Sequence, residues 1–193
     1  DTETVTTSYD TSGNNTATVP GASVCRLSDT TFIVFYVRSS DNNFYFRTGS
    51  ISGSTITMDT ETVYTGSPTF VFGIDACPGE EDGKVVLAYQ DGTQELGSSG
   101  GTWVQVLSYL TCTTNSVTVT YTVSSSTYGT GGFNVQPFWS VASYTQGMAY
   151  GLFSTQTSGG VRLIKYSYID VNGGLTGADV KTVHLELPTG SGT

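Results

Sequence analysis

An all-β protein, built from three four-stranded antiparallel meanders with one extra strand in front, is the fold this sequence predicts. Three observations point there. The composition is rich in Thr, Ser, Val, Tyr and Gly and poor in Lys, Leu and Ala, which suits a pleated surface better than a helix. A Thr-Val pair returns at Thr4-Val5, Thr62-Val63, Thr122-Val123 and Thr182-Val183, at intervals of 58, 60 and 60 residues. The apolar residues alternate or run in short blocks, and no segment of about 12 residues keeps a helical period. A fixed period of this length is read before anything else, because it sets the architecture. Here it divides one domain, 1–193, into an extra N-terminal strand and linker (1–20) and units at 21–66, 67–126 and 127–193.

The strands follow in order. In the first unit they are expected at 21–27, 31–38, 44–51 and 55–65, with turns at Ser28-Asp29-Thr30 and Gly53-Ser54. In the second they are expected at 69–77, 84–90, 102–110 and 116–124. In the third they are expected at 133–139, 148–154, 161–169 and 178–187. Clusters of Gly, Ser, Asn, Asp and Pro separate them, and these are turn formers. The second strand of each unit is a nearly continuous apolar run, as in 31–37, 85–89 and 148–153, which marks burial on both faces. The fourth alternates, as in Val117-Thr-Val-Thr-Tyr-Thr-Val123, which marks an outer strand with one wet face. An inner buried part with an alternating outer edge is the pattern of a β-propeller blade. A sandwich or jelly roll of the same strands is the structural alternative.

The run Thr31-Phe-Ile-Val-Phe-Tyr36, a polar loop, a strand and then Ile51-Ser-Gly-Ser-Thr-Ile56 resembles a family of propeller-like repeats found in extracellular proteins of microbes and algae. Val85-Val-Leu-Ala-Tyr-Gln-Asp91 resembles the same second-strand motif. The resemblance implies blade-like sheets and an extracellular setting. The third unit departs from it, with Met148-Ala-Tyr-Gly-Leu-Phe153 in that place. No motif of catalytic propellers stands in register, so the resemblance carries no functional residues with it.

Charge narrows the partners. The net charge is −9 with seven Lys and Arg, which repels nucleic acid and anionic membranes. The longest apolar run has strand length, far short of the ~20 residues of a membrane helix. Neutral sugars, cations and other protein chains remain as partners, and no cofactor is expected. Asp1 is a poor translational start and no signal peptide is visible, so the chain reads as a mature product or an excised fragment. Asn14-Asn15-Thr16 is an N-glycosylation sequon, with Asn14 the acceptor in a eukaryotic secretory route.

Few residues suit catalysis. His184 is the single histidine and lies in an alternating strand, so a Ser-His-Asp constellation has little to build on. Asp75 and Asp91 flank the inner strands of the second unit and are the acid pair a glycoside hydrolase would need. The densest acidic run, Glu80, Glu81 and Asp82, is the first place to look for a cation. Trp139, Gln136, Tyr144 and Gln146 form a candidate sugar-binding group, aromatic faces for stacking and amides for hydroxyls. Cys25 and Cys77 occupy like places in the first two units and are the favoured disulfide pair, with Cys112 left over and three free thiols as the alternative. The reading is therefore a non-catalytic extracellular binding or structural module for glycans or protein chains. The alternatives are a carbohydrate-active hydrolase and a self-assembling surface or capsid-type protein. The segment 2–9, from Thr2 to Tyr9, carries strand formers and no Pro, and is expected to pair with a sheet edge in another chain.

Overall fold

The computed structural model describes residues 22–38, 43–65, 70–92, 103–124, 141–145, 148–156, 162–170 and 181–183. These form thirteen strands and no helix. The fold is all-β, as the composition predicts, and the strands fall into three antiparallel sheets. The expected extra strand at 1–20 lies outside the described residues.

The first sheet holds β1 (Ala22–Arg26), β2 (Thr31–Val37), β3 (Phe44–Ser52), β4 (Thr55–Met58) and β5 (Thr62–Val63). The second holds β6 (Phe70–Pro78), β7 (Lys84–Gly92), β8 (Trp103–Thr113) and β9 (Ser116–Ser124). The third holds β10 (Val141–Thr145), β11 (Met148–Gln156), β12 (Arg162–Asp170) and β13 (Lys181–Val183). Within each sheet, neighbours in space follow chain order, so each is a meander. Two-residue turns join β3 to β4 and β8 to β9, and their positive-φ positions are Gly53 at 60° and Asn115 at 57°. Tight hairpins need such residues, and Gly and Asn adopt the conformation at least cost.

Two expectations are corrected. The fourth strand of the first unit is not continuous over 55–65. It breaks into β4 and β5, both paired with β3. The intervening acids take side-chain partners instead. The Thr48 hydroxyl donates to Asp59 Oδ2 at 2.5 Å, and Arg38 Nη1 donates to Glu61 Oε1 at 2.7 Å. The first described strand of the third sheet is Val141–Thr145, where none was expected, and the expected strand at 133–139 lies outside the described residues. A two-residue link joins β10 to β11, with Thr145 opposite Met148. The remaining described strands stand within four residues of their expected limits.

Each Thr-Val pair among the described residues lies in the last strand of its sheet, next to the third strand. Thr62 pairs with Phe46, Thr122 with Ser108 and Thr182 with Lys165. The recurrence marks the strand and not a shared face. Val63 is opposite Tyr45, which faces away from the second sheet, whereas Val123 is opposite Leu107, on the face turned toward the third. Phe46 and Leu107, opposite the fifth residues of β2 and β7, are 61 residues apart (107 − 46), whereas the Thr-Val pairs are 60 apart (122 − 62), and this accounts for the offset.

The sheets pack in sequence. β1 lies against β6, β6 against β10, and β12 against β8 and β9. The first two sheets share a core. Ile33, Phe35, Val37, Phe44 and Phe46 meet Val85, Leu87, Tyr89, Val106 and Leu110. Tyr64 is its centre, 1% exposed, with its ring 4.9 Å from Phe44 and 6.2 Å from Tyr89. The opposite face of the second sheet, with Val86, Ala88, Leu107 and Tyr109, is equally buried, on the side of the third sheet. This explains why 85–89 reads as an unbroken apolar run.

Candidate functional site

A cavity of about 330 Å³ opens where three hairpins and one strand pair of the first two sheets converge. The β1–β2 turn contributes Leu27, Ser28 and Thr31, and β3 contributes Thr48 to Ser50. Asp59 follows β4, Asp82 and Gly83 come from the β6–β7 turn, and Cys112 to Thr114 come from the β8–β9 turn.

Backbone hydrogen bonds hold these pieces together. Gly83 N–H donates to the Leu27 carbonyl at 2.8 Å, and Cys112 N–H donates to the Gly83 carbonyl at 2.7 Å. Gly83 has φ +77°, and a Cβ there would lie 2.9 Å from the Cys112 carbonyl oxygen. Only glycine fits such a position without strain. Thr48 is 3% exposed. Its hydroxyl accepts the Asn115 N–H at 3.1 Å and donates to Asp59 Oδ2. That single buried hydroxyl therefore ties the β8–β9 turn to the carboxylate.

The cavity's chemistry is hydroxyls and carboxylates. Among the described residues six Ser and Thr and two Asp line it, and no Lys, Arg or His does. Ser28 and Thr31 share a hydrogen bond at 2.7 Å. Arg26 approaches from outside, with Nη1 2.7 Å from Asp29 and Nη2 3.8 Å from Asp82. These pairs are solvent-exposed and add little stability.

A second polar cluster sits on the first sheet's other face. Tyr36 and Tyr45 stack with ring centres 6.1 Å apart. The Arg38 guanidinium lies 4.2 Å over the Tyr45 ring and donates to the Tyr45 hydroxyl. Tyr36 donates to Glu61 Oε2. Burial, then the hydrogen bond and charge of Glu61, push the Tyr36 phenol above its usual range.

The expected site residues fare differently. Glu80, Glu81 and Asp82 stand exposed on the β6–β7 turn. Among the described residues no three His, Cys, Asp or Glu converge as metal ligands, so the acidic run is not gathered into the expected cation site. Asp82 instead faces Arg26 and the cavity. Asp75 is opposite Ala88, three residues from Asp91 on β7. An odd separation puts the two acids on opposite faces of the sheet, so they do not form a catalytic pair. Tyr144 lies in β10 opposite Ala149. Gln136, Trp139, Gln146, His184 and Asn14 lie outside the described residues.

The expected Cys25–Cys77 disulfide is absent: Cys25, Cys77 and Cys112 are all free thiols. The register supplies the reason. Cys25 and Cys112 belong to the core between the first two sheets. Cys77 is opposite Val86, on the face turned from that core. Each thiol faces the next sheet, Cys25 the second and Cys77 the third, so the two do not face each other across one interface as a bridge requires. Burial above all pushes each thiol up, from 9.0 to about 12, and for Cys25 the neighbouring thiols add to the effect.

The cavity was not foreseen, because its residues come from four separate turns and strands. One signal did exist. The string Asp59-Thr-Glu-Thr-Val63 repeats Asp1-Thr-Glu-Thr-Val5, and its two acids are the ones that anchor Thr48 and the Tyr36–Arg38 pair. No family model, no curated protein and no solved structure matches this chain.

Proposed function

We propose that the chain is a non-catalytic extracellular binding or structural module of propeller-blade-like sheets, and that the outer face of its first sheet takes a further sheet of the same design from a second copy. The observation that carries this reading is the correspondence of Tyr36 and Tyr89. Each is the sixth residue of its sheet's second strand. Tyr89 lies on the face of the second sheet that the first sheet covers, with its ring 5.4 Å from Phe44. Tyr36 holds the same position in the first sheet, on the face turned from the second, where it is 4% exposed against Tyr45 and Glu61. Val24 and Val63 stand on that face, 65% and 47% exposed. A second copy docking there head to tail would cover Val24 and Val63 with a sheet, on the face that corresponds to the one the first sheet covers in the second. Such a heterologous contact closes into a ring or grows into a filament.

The extracellular setting is supported by composition, 12% charged residues with many hydroxyls, and by the Asn14 sequon. The non-catalytic reading is supported by the separation of Asp75 and Asp91. Glycan binding is supported by the hydroxyl-lined cavity. The test is light scattering on the intact chain and on Val24→Lys, whose charge would sit in the proposed contact. The reading expects self-association that weakens at least tenfold in the variant, about 1.4 kcal/mol. Equal masses for both proteins at every concentration would overturn it.

A further inference from the structure

We infer that the cavity between the first two sheets is a binding site for a protonated hexosamine, one or two rings in size. This rests on the reading of the chain as a binding module and names the ligand class of its cavity. The volume of about 330 Å³ is at the low end of small-molecule sites, which run from about 300 to 1,000 Å³. It suits a terminal sugar and not a long chain.

The lining selects the charge. Asp59 and Asp82 present carboxylates, and among the described residues no cationic side chain lines the cavity, Arg26 reaching Asp82 from outside it. Phosphorylated and carboxylated sugars would meet like charge on that lining. An ammonium group would meet charge-assisted acceptors, about twice as strong as neutral ones. The chain's charge of −9 raises the local concentration of cations further.

The lining also selects hydroxyls. Ser28, Thr31, Ser50, Thr113 and Thr114 are donors and acceptors at once. A sugar ring needs both kinds. Leu27 and Cys112 are 7% and 3% exposed and give an apolar floor for the ring's C–H face. Asp59 is the orienting residue, because Thr48 already fixes one of its oxygens at 2.5 Å. Its other oxygen has no such constraint among these contacts and is the acceptor assigned to the ammonium group. A pre-positioned carboxylate loses little freedom on binding.

The experiment is a calorimetric titration of the intact chain with glucosamine, N-acetylglucosamine and glucose 6-phosphate. Glucosamine is expected to bind at least tenfold more tightly than N-acetylglucosamine, in which the charge is gone, and the phosphate is expected not to bind. Asp59→Asn should abolish the preference between the first two. That change also touches the Thr48 contact, so Thr114→Arg is the second variant. Thr114 is exposed on a turn at the cavity, and the arginine should block binding while the melting temperature stays within a few degrees. No heat with glucosamine, equal binding of the two amino sugars, or unchanged binding in Thr114→Arg would each overturn the inference. A chain that self-associates and ignores glucosamine loses only this inference. A chain that binds glucosamine and stays monomeric loses only the docking of a second copy.

Discussion

Gly49 has no side chain because there is no room for one. A Cβ there would lie 2.6 Å from the Phe32 ring and 2.9 Å from the Thr57 carbonyl oxygen. Gly49→Ala is expected to lower stability by about 1–3 kcal/mol, the usual cost of forcing atoms into a filled site; urea unfolding measures it. The buried acids of the core set a second expectation. Burial holds the three thiols at about 12 and the Tyr64 phenol at about 12, against 9.0 and 10.0 unperturbed. A group whose folded pKa is raised keeps its proton more tightly folded than unfolded. The stability it confers is whole below pH 9 and is lost as pH climbs toward 12. Urea midpoints taken from pH 8 to 12 should fall steadily above pH 9, and a flat profile would contradict the burial of these groups. At this scale the sequence was a poor guide. Cys25 and Cys77 do hold like places, opposite Ile33 and Val86, the third residues of β2 and β7, but each faces the next sheet, so likeness in the repeat did not bring the thiols face to face.

Strands were far more legible. The apolar runs at 31–37 and 85–89 became β2 and β7: β7 has a sheet on either side, and β2 has the second sheet on one face and the Tyr36, Arg38 and Tyr45 cluster of its own sheet on the other. The turn residues Gly53 and Asn115 stand where hairpins need positive φ. The sequence did not reveal β10: Val141–Thr145 sits two residues from β11 and closes a hairpin with it. Between the first two sheets, Tyr64 is the element-scale anchor. Its ring touches Phe35, Phe44 and Tyr89, and Ser108 and Tyr89 are the polar neighbours of its hydroxyl. Tyr64→Ala should cost about 3–5 kcal/mol, as for other large aromatic truncations. Tyr64→Phe should cost about 0.5–1.5 kcal/mol, the net worth of a hydrogen bond. Equal losses in the two variants would place the anchoring in the hydroxyl and not in the ring.

At the scale of the whole molecule, the three sheets lie in chain order, each against the next, with β1, β6 and β10 in line. The Thr-Val recurrence foretold which strand closes each sheet but not which face its residues take. The cavity was illegible for a different reason: it exists only where turns from two sheets meet, and each turn alone reads as solvated loop. The same stacking leaves the first sheet with one face turned from the second, bearing Val24, Val34, Tyr36, Tyr45 and Val63. The net charge of −9 opposes association of like copies, and salt screens that repulsion. Small-angle X-ray scattering of the intact chain, at rising protein concentration in moderate salt, decides whether a second copy docks on the first sheet. The scattering mass should double or grow further, with added distances that fit sheets stacked face to face. A monomer mass at every concentration and salt would contradict it.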